Sequence, residues 1–300
     1  FRDRPIQQLT IDRMKVLLPF LITAYVFRSM QLSASTEHLY NQFDGPQGDA
    51  SDTLTTTTTT QMTTTELARQ LPALTEGSRR VILVRHAETD WNARGLMQGG
   101  GFDVQLNEPG RTQAHALATE LRSSFPKVDV VVSSHLARSS EVADIVSQAF
   151  QADQPVRIIN HKFGEMRFGE FEGLAVKGLE CTDDTPQRYQ LFNSIMHENK
   201  AVPWPGNSGE SIRQVEERAQ AGLSQILRGF PDCDHFCVVA HGRFNKVLLM
   251  SLLGLTGKGS IQQGHTGINV IDVDRQGKWK AHAINYLRHT ERAAPKASFE

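Results

Sequence analysis

A short apolar run that ends in an arginine and a histidine constrains this chain more than any other stretch. Residues 81–84 read Val-Ile-Leu-Val, and Arg85 and His86 follow them directly. An apolar run of this length before a polar stretch is typical of a strand buried in a parallel sheet. Because ligands of open α/β sheets bind beyond the carboxyl ends of the strands, the run predicts that Arg85 and His86 face a ligand.

The same arrangement occurs a second time near the end of the chain. Residues 236–240 are apolar, and His241, Gly242 and Arg243 come directly after them. A neutral imidazole is a good nucleophile near pH 7, and arginine is suited to binding anions. Two histidines at two strand ends, one of them preceded by an arginine, therefore predict an anion site that contains a nucleophile.

Apolar runs and amphipathic segments alternate through the rest of the chain. Strands are predicted at residues 80–85, 128–132, 156–160, 236–240, 268–273 and 279–286. Helices are predicted at residues 107–122, with Asn107 as the N-cap, and at residues 138–150, 185–199, 211–228 and 244–253. This alternation predicts an α/β fold, a three-layer sandwich in which a mostly parallel sheet carries helices on both faces.

The first residues of the chain have the pattern of a targeting segment. Met14 and Lys15 precede an apolar run at 16–27, and small residues follow at 33–35. This order predicts a signal or targeting segment over residues 1–35, with an uncleaved membrane anchor, or neither, as the alternatives. A signal would direct the protein to the secretory pathway or an organelle, and its absence would leave the protein in the cytoplasm.

A threonine-rich stretch separates this segment from the predicted domain. Residues 36–77 are largely polar, and such a composition buries too little apolar surface to offset the entropy of ordering the chain. We therefore predict a disordered linker at 36–77, one folded domain at 78–290 and a tail at 291–300.

Charge and cysteine content exclude some classes of function. The formal net charge is −1, so the chain has no general attraction for nucleic acid or an acidic membrane. Membrane contact is predicted only if residues 16–27 are an uncleaved anchor. Three cysteines are too few for a disulfide framework, and neither C-x-x-C nor H-E-x-x-H occurs, so no metal site is predicted.

Three motifs give the chain a resemblance to a known family. Residues 85–92 read Arg-His-Ala-Glu-Thr-Asp-Trp-Asn and resemble the R-H-G-E-T-x-W-N signature of the histidine phosphatase family, also called phosphoglycerate mutase-like. Residues 133–138 resemble its S-S-x-L-x-R motif, and residues 163–173 resemble L-x-E-x-x-x-G-x-x-E-G. His241 matches the second histidine of the family. The resemblance covers about residues 80–286, one domain.

The resemblance implies a role for each matched residue. His86 would carry a phosphoryl group as a phosphohistidine, and His241 would bind that group as an imidazolium. The implied catalytic residues are His86, Glu165, His241, Arg85 and Arg138. The implied substrate-binding residues are Arg85, Thr89, Asn92, Gln98, Arg138, His241 and Gly242. No cofactor is implied, and the implied partner is a phosphorylated small molecule.

The acidic motif offers three candidates for the proton donor and acceptor. Glu165, Glu170 and Glu172 lie close together in the sequence, and the glycine four residues after Glu165 favours that residue. A bound phosphate beside the carboxyl group favours its protonated form, which donates to a leaving alcohol.

Three functions fit these residues. A phosphomonoesterase is favoured, because residues 85–89 have the Arg-His-Ala-Glu-Thr form and the later spacing is compact. A phosphoglycerate mutase-type isomerase and an inactive module that binds phosphorylated ligands are the alternatives. The loops at 98–103 and 204–211 are longer than the family pattern, so the resemblance does not identify the substrate.

Overall fold

The computed structural model describes residues 65–176, 200–255 and 261–293 of the chain. Its strands are β1 (Arg79–Arg85), β2 (Val130–Ser133), β3 (Val156–Ile159), β4 (His235–Ala240), β5 (Ile268–Val273) and β6 (Trp279–Tyr286). Its α-helices are α1 (Glu66–Gln70), α2 (Asp90–Ala93), α3 (Glu108–Ser124), α4 (Ala137–Ala149), α5 (Ile212–Gly229), α6 (Gly242–Leu252) and α7 (Arg288–Ala293). The six predicted strands are confirmed, with bounds that differ by at most two residues.

The strands form one mixed sheet in the order β3-β2-β4-β1-β5-β6. Neighbours from β3 to β1 are parallel, whereas β5 is antiparallel to both β1 and β6. In the register of β1 with β4, Arg85 lies opposite Ala240. The two strands therefore end at the same level, and the residues that follow them, His86 and His241, emerge side by side.

Helices cover both faces of this sheet, as the sequence predicts. Alternate residues of β1 point to opposite faces, so Val81 and Leu83 join one buried cluster and Ile82 and Val84 join the other. The first cluster packs against α5 and α6, and the second packs against α3 and α4. The prediction of a three-layer α/β sandwich is confirmed.

Local signals explain where two of the long helices begin. Asn107 caps α3, because its side chain accepts a hydrogen bond from the backbone of Gly110. Ser211 and Gln214 form a reciprocal capping box at the start of α5. The predicted helix at 185–199 lies outside the described residues, as do residues 1–64. In the part of the chain that is described, no helix is long and apolar enough to span a membrane.

The folded part of the chain begins earlier than residue 78, the start that the sequence predicts. Residues 65–77 fall in the predicted linker, yet Glu66–Gln70 form α1 and Leu67 is fully buried in the cluster beneath α3. The Thr65 side chain caps α1, and Glu66 forms an ion pair with Arg288. Burial of Leu67, the Thr65 cap and the ion pair with Arg288 together favour this short helix. The domain also extends past residue 290, since α7 ends at Ala293.

Leu67→Ala should therefore destabilise the domain, although its sequence context is that of a linker. Truncation of a fully buried leucine lowers the free energy of unfolding by about 2–5 kcal/mol. The loss lies at the lower end of this range if α1 detaches easily from the domain. Denaturant unfolding measures the loss, with Leu71→Ala as the control at a partly exposed position of the same segment. Equal stability of the Leu67 variant and the wild type would contradict the packing of α1.

Candidate active site

A cavity of about 430 Å³ lies beyond the carboxyl ends of β1 and β4. Arg85 and His86 enter it from the end of β1, and Gly242 enters it from the start of α6. Arg138 at the start of α4 and Glu165 from the loop after β3 complete its polar wall. The structure thus brings together residues that are far apart in the sequence, at the edge where a sheet of this type binds ligands.

The backbone fixes both the position and the tautomer of His86. Its N–H donates to the carbonyl of Ala240 at 2.9 Å, and its own carbonyl accepts from Thr266. The ring Nδ1 lies 2.7 Å from the carbonyl oxygen of Ala87. Since a carbonyl only accepts, Nδ1 carries the proton and Nε2 keeps its lone pair.

The surroundings of His86 keep the ring neutral. Burial lowers the pKa of His86 well below its ordinary value, and the positive charges of Arg138 and Arg85 lower it further. A ring that stays unprotonated near neutral pH has the lone pair that a nucleophile needs.

Two arginines, Arg85 and Arg138, are held beside His86 and keep hydrogen-bond donors that are not used within the described residues. Arg85 donates from Nη1 to the carbonyl of Gln263 at 2.7 Å. Arg138 is fully buried and donates to the carbonyls of Phe102 and Gly99 at 3.0 and 2.8 Å. Burial lowers the pKa of Arg138 to about 10, so it remains charged at neutral pH. Within the described residues neither Nε atom has an acceptor, which leaves donors for an anion.

His241 lies directly beside His86, with the ring centroids 5.1 Å apart. It is fully buried at the N-cap of α6, and its Nε2 is 2.8 Å from the hydroxyl of Ser134. Burial lowers the pKa of His241 well below its ordinary value, and the charge of Arg138 adds to this effect. The imidazolium that the resemblance implies therefore requires the negative charge of a bound phosphate.

Of the three polar residues that follow His86 in the predicted site, two line the cavity and one lies behind them. Asn92 and Gln98 line the cavity. Thr89 is fully buried behind them, caps α2, and donates to Asn92 Oδ1 at 3.0 Å or to Gln98 Oε1 at 3.1 Å. The Thr89 hydroxyl thus orients the two amides, and the substrate contact expected for Thr89 stays a prediction.

Glu165 is the one acidic residue among the described residues that line the cavity. Its Oε1 accepts from the backbone N–H groups of Met166 and Phe244 at 2.8 and 2.9 Å, and its Oε2 accepts from that of Arg243 at 3.1 Å. Two of these donors belong to the first turn of α6, where a helix binds negative charge. The carboxylate is thus fixed in position in the cavity that Arg85 and Arg138 also line.

The other two acidic residues of the motif have different surroundings. Glu170 is exposed. Glu172 accepts from the backbone N–H groups of Gly101 and Phe168 at 3.2 and 2.9 Å, so it joins two loops. This arrangement favours Glu165 as the proton donor and acceptor.

Sequence reasoning missed four polar residues of the cavity wall, Arg243, Lys246, Gln263 and His265. Arg243 follows His241-Gly242 and could have been chosen, with Lys246 one helical turn beyond it. Gln263 and His265 belong to a turn without a recognisable pattern. Burial lowers the pKa of His265 to about 3, with the charge of Arg85 adding to the effect, so this third ring is neutral.

A group of metal-ligand type forms at the opposite edge of the sheet. Asp129, Asp234 and His235 come together there, although no motif joins them in the sequence. The ammonium group of Lys127 lies 3.1 Å from Asp129 and 2.9 Å from Asp234. This cation supplies the positive charge that the two carboxylates need.

The buried histidines should make the protein less stable in acid. Burial lowers the pKa of His86 and His241 well below the ordinary value, that of His265 to about 3 and that of His289 to about 4. The unfolded chain binds protons on these rings below about pH 6.5, whereas the folded chain binds them only at lower pH. The contribution of these rings to the free energy of unfolding therefore has its full value above about pH 6.5 and falls as the pH drops below it. Urea unfolding at about pH 7.5 and about pH 5 measures the change in the free energy of unfolding. Equal values at the two pH values would contradict the lowered pKa values of these histidines.

An α/β sheet that presents two histidines, two arginines and a carboxylate at its carboxyl edge has the groups that an enzyme acting on phosphate esters needs. The family model described as "Histidine phosphatase superfamily (branch 1)" matches residues 81–286. The chain belongs to this superfamily.

Individual relatives agree with this assignment. The chain is 30% identical to a metal-independent phosphoserine phosphatase of Arabidopsis thaliana over 209 residues, 70% of this chain and 82% of the relative. It is 34% identical to phosphoglycerate mutase-like protein 4 of the same plant over 211 residues, 70% of this chain and 86% of the relative. A phosphoserine phosphatase of Entamoeba histolytica, solved in complex with 3-phosphoglyceric acid, has a similar fold. Its TM-score is 0.56 at 24% identity, over 70% of this chain and 98% of that one.

Proposed function

We propose that this chain, a phosphatase of the histidine phosphatase family, hydrolyses phosphate monoesters through a phosphohistidine at His86. The observation that carries the proposal is the hydrogen bond of His86 Nδ1 to the carbonyl of Ala87, which leaves Nε2 as a free nucleophile. Arg85 and Arg138 beside the ring supply donors and positive charge for the phosphate oxygens. Phosphoryl transfer depends mainly on such positioning and charge stabilisation.

In the first step, Nε2 of His86 attacks phosphorus, and the bond from phosphorus to the alcohol oxygen breaks. Glu165 gives its proton to that oxygen, which leaves as the free alcohol. Arg85, Arg138 and His241 bind the oxygens of the transferring group, on which negative charge is spread. The dianionic phosphate of the arriving substrate favours the protonated form of His241.

In the second step, water takes the place of the alcohol. The carboxylate of Glu165 removes a proton from the water, and the water oxygen attacks phosphorus. The bond from phosphorus to Nε2 breaks, so inorganic phosphate forms and His86 returns to its neutral state. Asn92 and Gln98, which Thr89 orients, are proposed to hold the phosphate through both steps.

A mutase would share the first step and differ in the second, where a hydroxyl of the bound substrate takes the phosphoryl group instead of water. The name of one relative, phosphoglycerate mutase-like protein 4, is the reason to test this alternative. An inactive binding module would show no turnover at all. The experiment that separates the three is incubation with an aryl phosphate and with 2- and 3-phosphoglycerate, with free phosphate and isomer measured in parallel.

The proposal requires release of phosphate from the aryl ester and an acid-labile labelled intermediate during turnover. Interconversion of the two phosphoglycerates without release of phosphate would favour the mutase. No turnover and no label with any of the three esters would favour a binding module.

A further inference from the structure

Glu165 lies in an irregular segment of the chain. The residues around it, 164–168, join two single-turn helices, His161–Phe163 and Gly169–Phe171. A carboxyl group that transfers a proton must lie within hydrogen-bond reach of the reacting oxygen, and a misplacement of about 1 Å can cost about 10²-fold in rate. Since the segment has no regular secondary structure to hold it, residues outside the segment must fix the position of Glu165.

Arg218, in α5, binds the backbone up to Glu165. Its Nη1 donates to the carbonyl oxygens of Lys162 and Gly164 at 2.8 Å each, and its Nη2 donates to the carbonyl oxygen of Glu165 at 3.1 Å. The guanidinium also lies over the ring of Phe244, with Cζ 5.5 Å from the ring centroid. The backbone N–H of Phe244 binds the Glu165 carboxylate, so Arg218 contacts both Glu165 and a residue that holds its side chain.

Glu210 binds the backbone just after Glu165. Its Oε2 accepts from the N–H of Arg167 at 3.0 Å, and its own N–H donates to the carbonyl oxygen of Arg167 at 2.9 Å. The same carboxylate accepts from Nε and Nη2 of Arg218 at 2.7 and 3.0 Å. This bidentate pairing fixes the plane of the guanidinium. Arg218 and Glu210 together therefore hold the backbone on both sides of the Glu165 side chain.

The contacts of Arg218 use every N–H group of its guanidinium, which has five. The Arg218 and Glu210 side chains are each 20% exposed, so water has little access to compete for these hydrogen bonds. Neither residue is among the described residues that line the cavity. The pair can therefore act on the reaction only through the residues that it holds.

We propose that Arg218 and Glu210 are positioning residues for the proton transfer, because they fix the segment from which the Glu165 carboxyl group reaches the alcohol oxygen. The inference rests on the proposed function at His86. When the pair is broken, the carboxyl group is still present but occupies the productive position in fewer molecules. The phosphate site keeps its main donors, since Arg85 and Arg138 are held by other residues.

Two esters distinguish this positioning role from a purely structural one. An alkyl phosphate needs a proton on its leaving oxygen, whereas a nitrophenyl phosphate releases a stable anion. Arg218→Met should slow phosphorylation of His86 by the alkyl ester about 10–10²-fold, and by the nitrophenyl ester much less. A loss of folded enzyme alone would lower both rates by the same factor. Arg218→Lys should retain part of the rate with the alkyl ester, because an ammonium group keeps the charge but has three donors and no plane.

Arg79→Met is the matched control for the loss of an arginine that binds backbone carbonyls. Arg79 donates to the carbonyl oxygens of Leu227 and Pro231, at the far end of α5. Its substitution should leave the ratio of the two rates at the wild-type value.

Glu210→Gln carries the test if Arg218→Met does not fold. The amide keeps an acceptor for Arg167 but loses the charge that orients Arg218. We expect a loss of about threefold to tenfold, confined to the alkyl ester. A wild-type ratio of the two rates in the variant that is measured, or equal losses with both esters, would overturn the proposal while the function of His86 stands.

Amide hydrogen exchange decides the proposal without turnover. If no ester is turned over, the proposed function fails, but the N–H of Phe244 still reports the Glu165 carboxylate that it binds. This N–H lies in the first turn of α6, where N–H groups have no acceptor within the helix. Arg218→Met should speed its exchange by about fivefold or more, with that of Leu248 in the middle of α6 unchanged. Equal exchange at Phe244 in the variant and the wild type would then overturn the proposal.

Discussion

His86→Ala should lower kcat by about 10⁴–10⁶-fold, the range found when the nucleophile of a covalent mechanism is removed. The variant lacks the nitrogen that takes the phosphoryl group, whereas Arg85 and Arg138 still hold the phosphate. Binding of substrate should therefore change far less than turnover. Release of phosphate from an aryl ester gives the first quantity, and calorimetric titration with inorganic phosphate gives the second.

His135→Ala is the control for this experiment. His135 also follows β2 at the carboxyl edge, but it is exposed and stacks on His161, with the ring centroids 4.3 Å apart. Its removal should leave kcat near the wild-type value. If His86→Ala retained activity within tenfold of the wild type and still formed the labelled intermediate, another side chain would be the nucleophile. His265, the other imidazole on the cavity wall, would be the next candidate.

The sheet and the core of the site were predictable because their signals are contiguous in the sequence. β1 and β4 are buried on both faces, so every residue from Val81 to Val84 is apolar and the strand ends where Arg85 begins. To predict that His86 lies beside His241, one must also know the register of β1 and β4, in which Arg85 lies opposite Ala240. The sequence gives only the expectation that parallel strands end at a common edge.

The wall of the cavity that Gln263 and His265 form was not predictable, because its conformation depends on distant residues. Asn285, in β6, accepts from the backbone of Gly264 at 2.7 Å, and Asn269 exchanges hydrogen bonds with the Gln263 amide at 2.9 Å. Thr266 adopts a φ of +56°, an uncommon value for a residue with a branched side chain. The spacing of apolar residues does not predict hydrogen bonds between side chains and a distant turn.

Two short-range features show different limits of reasoning from the sequence. α1 has five residues and one buried apolar side chain, Leu67, so it has no periodicity to distinguish it from the polar stretch before it. Thr89 has a readable signal, since threonine with Asn92 three residues later forms a reciprocal cap. The family motif predicts a phosphate contact for this hydroxyl, and the structure adds its hydrogen bonds to the amides of Asn92 and Gln98.

Glu165→Gln should slow the transfer of the phosphoryl group to His86 by about 10²–10⁴-fold, the usual contribution of general acid catalysis. The loss should depend on the leaving group. An alkyl alcohol is a poor leaving group and needs the proton, whereas a nitrophenol leaves as a stable anion. Rapid-mixing measurements of phosphoenzyme formation with an alkyl and a nitrophenyl phosphate should show the larger loss for the alkyl ester.

The same substitution should prolong the life of the phosphohistidine. Without a carboxylate to remove its proton, water attacks phosphorus more slowly, so the labelled intermediate should accumulate with the nitrophenyl ester. Glutamine is nearly isosteric and can still accept at the position of Oε1, which binds Met166 and Phe244. It loses an acceptor for Arg243, so stability should fall by no more than about 1–3 kcal/mol.

Glu172→Gln is the closest control, because this carboxylate also accepts from backbone N–H groups but joins two loops instead of lining the cavity. Glu170→Gln adds a control at an exposed position. Both variants should keep phosphoenzyme formation close to the wild-type rate with either ester. A large, leaving-group-dependent loss in one of them, together with near-normal rates in Glu165→Gln, would move the proton transfer to that residue. Equal losses with both esters in Glu165→Gln would instead mean that the carboxylate positions α6 without donating the proton.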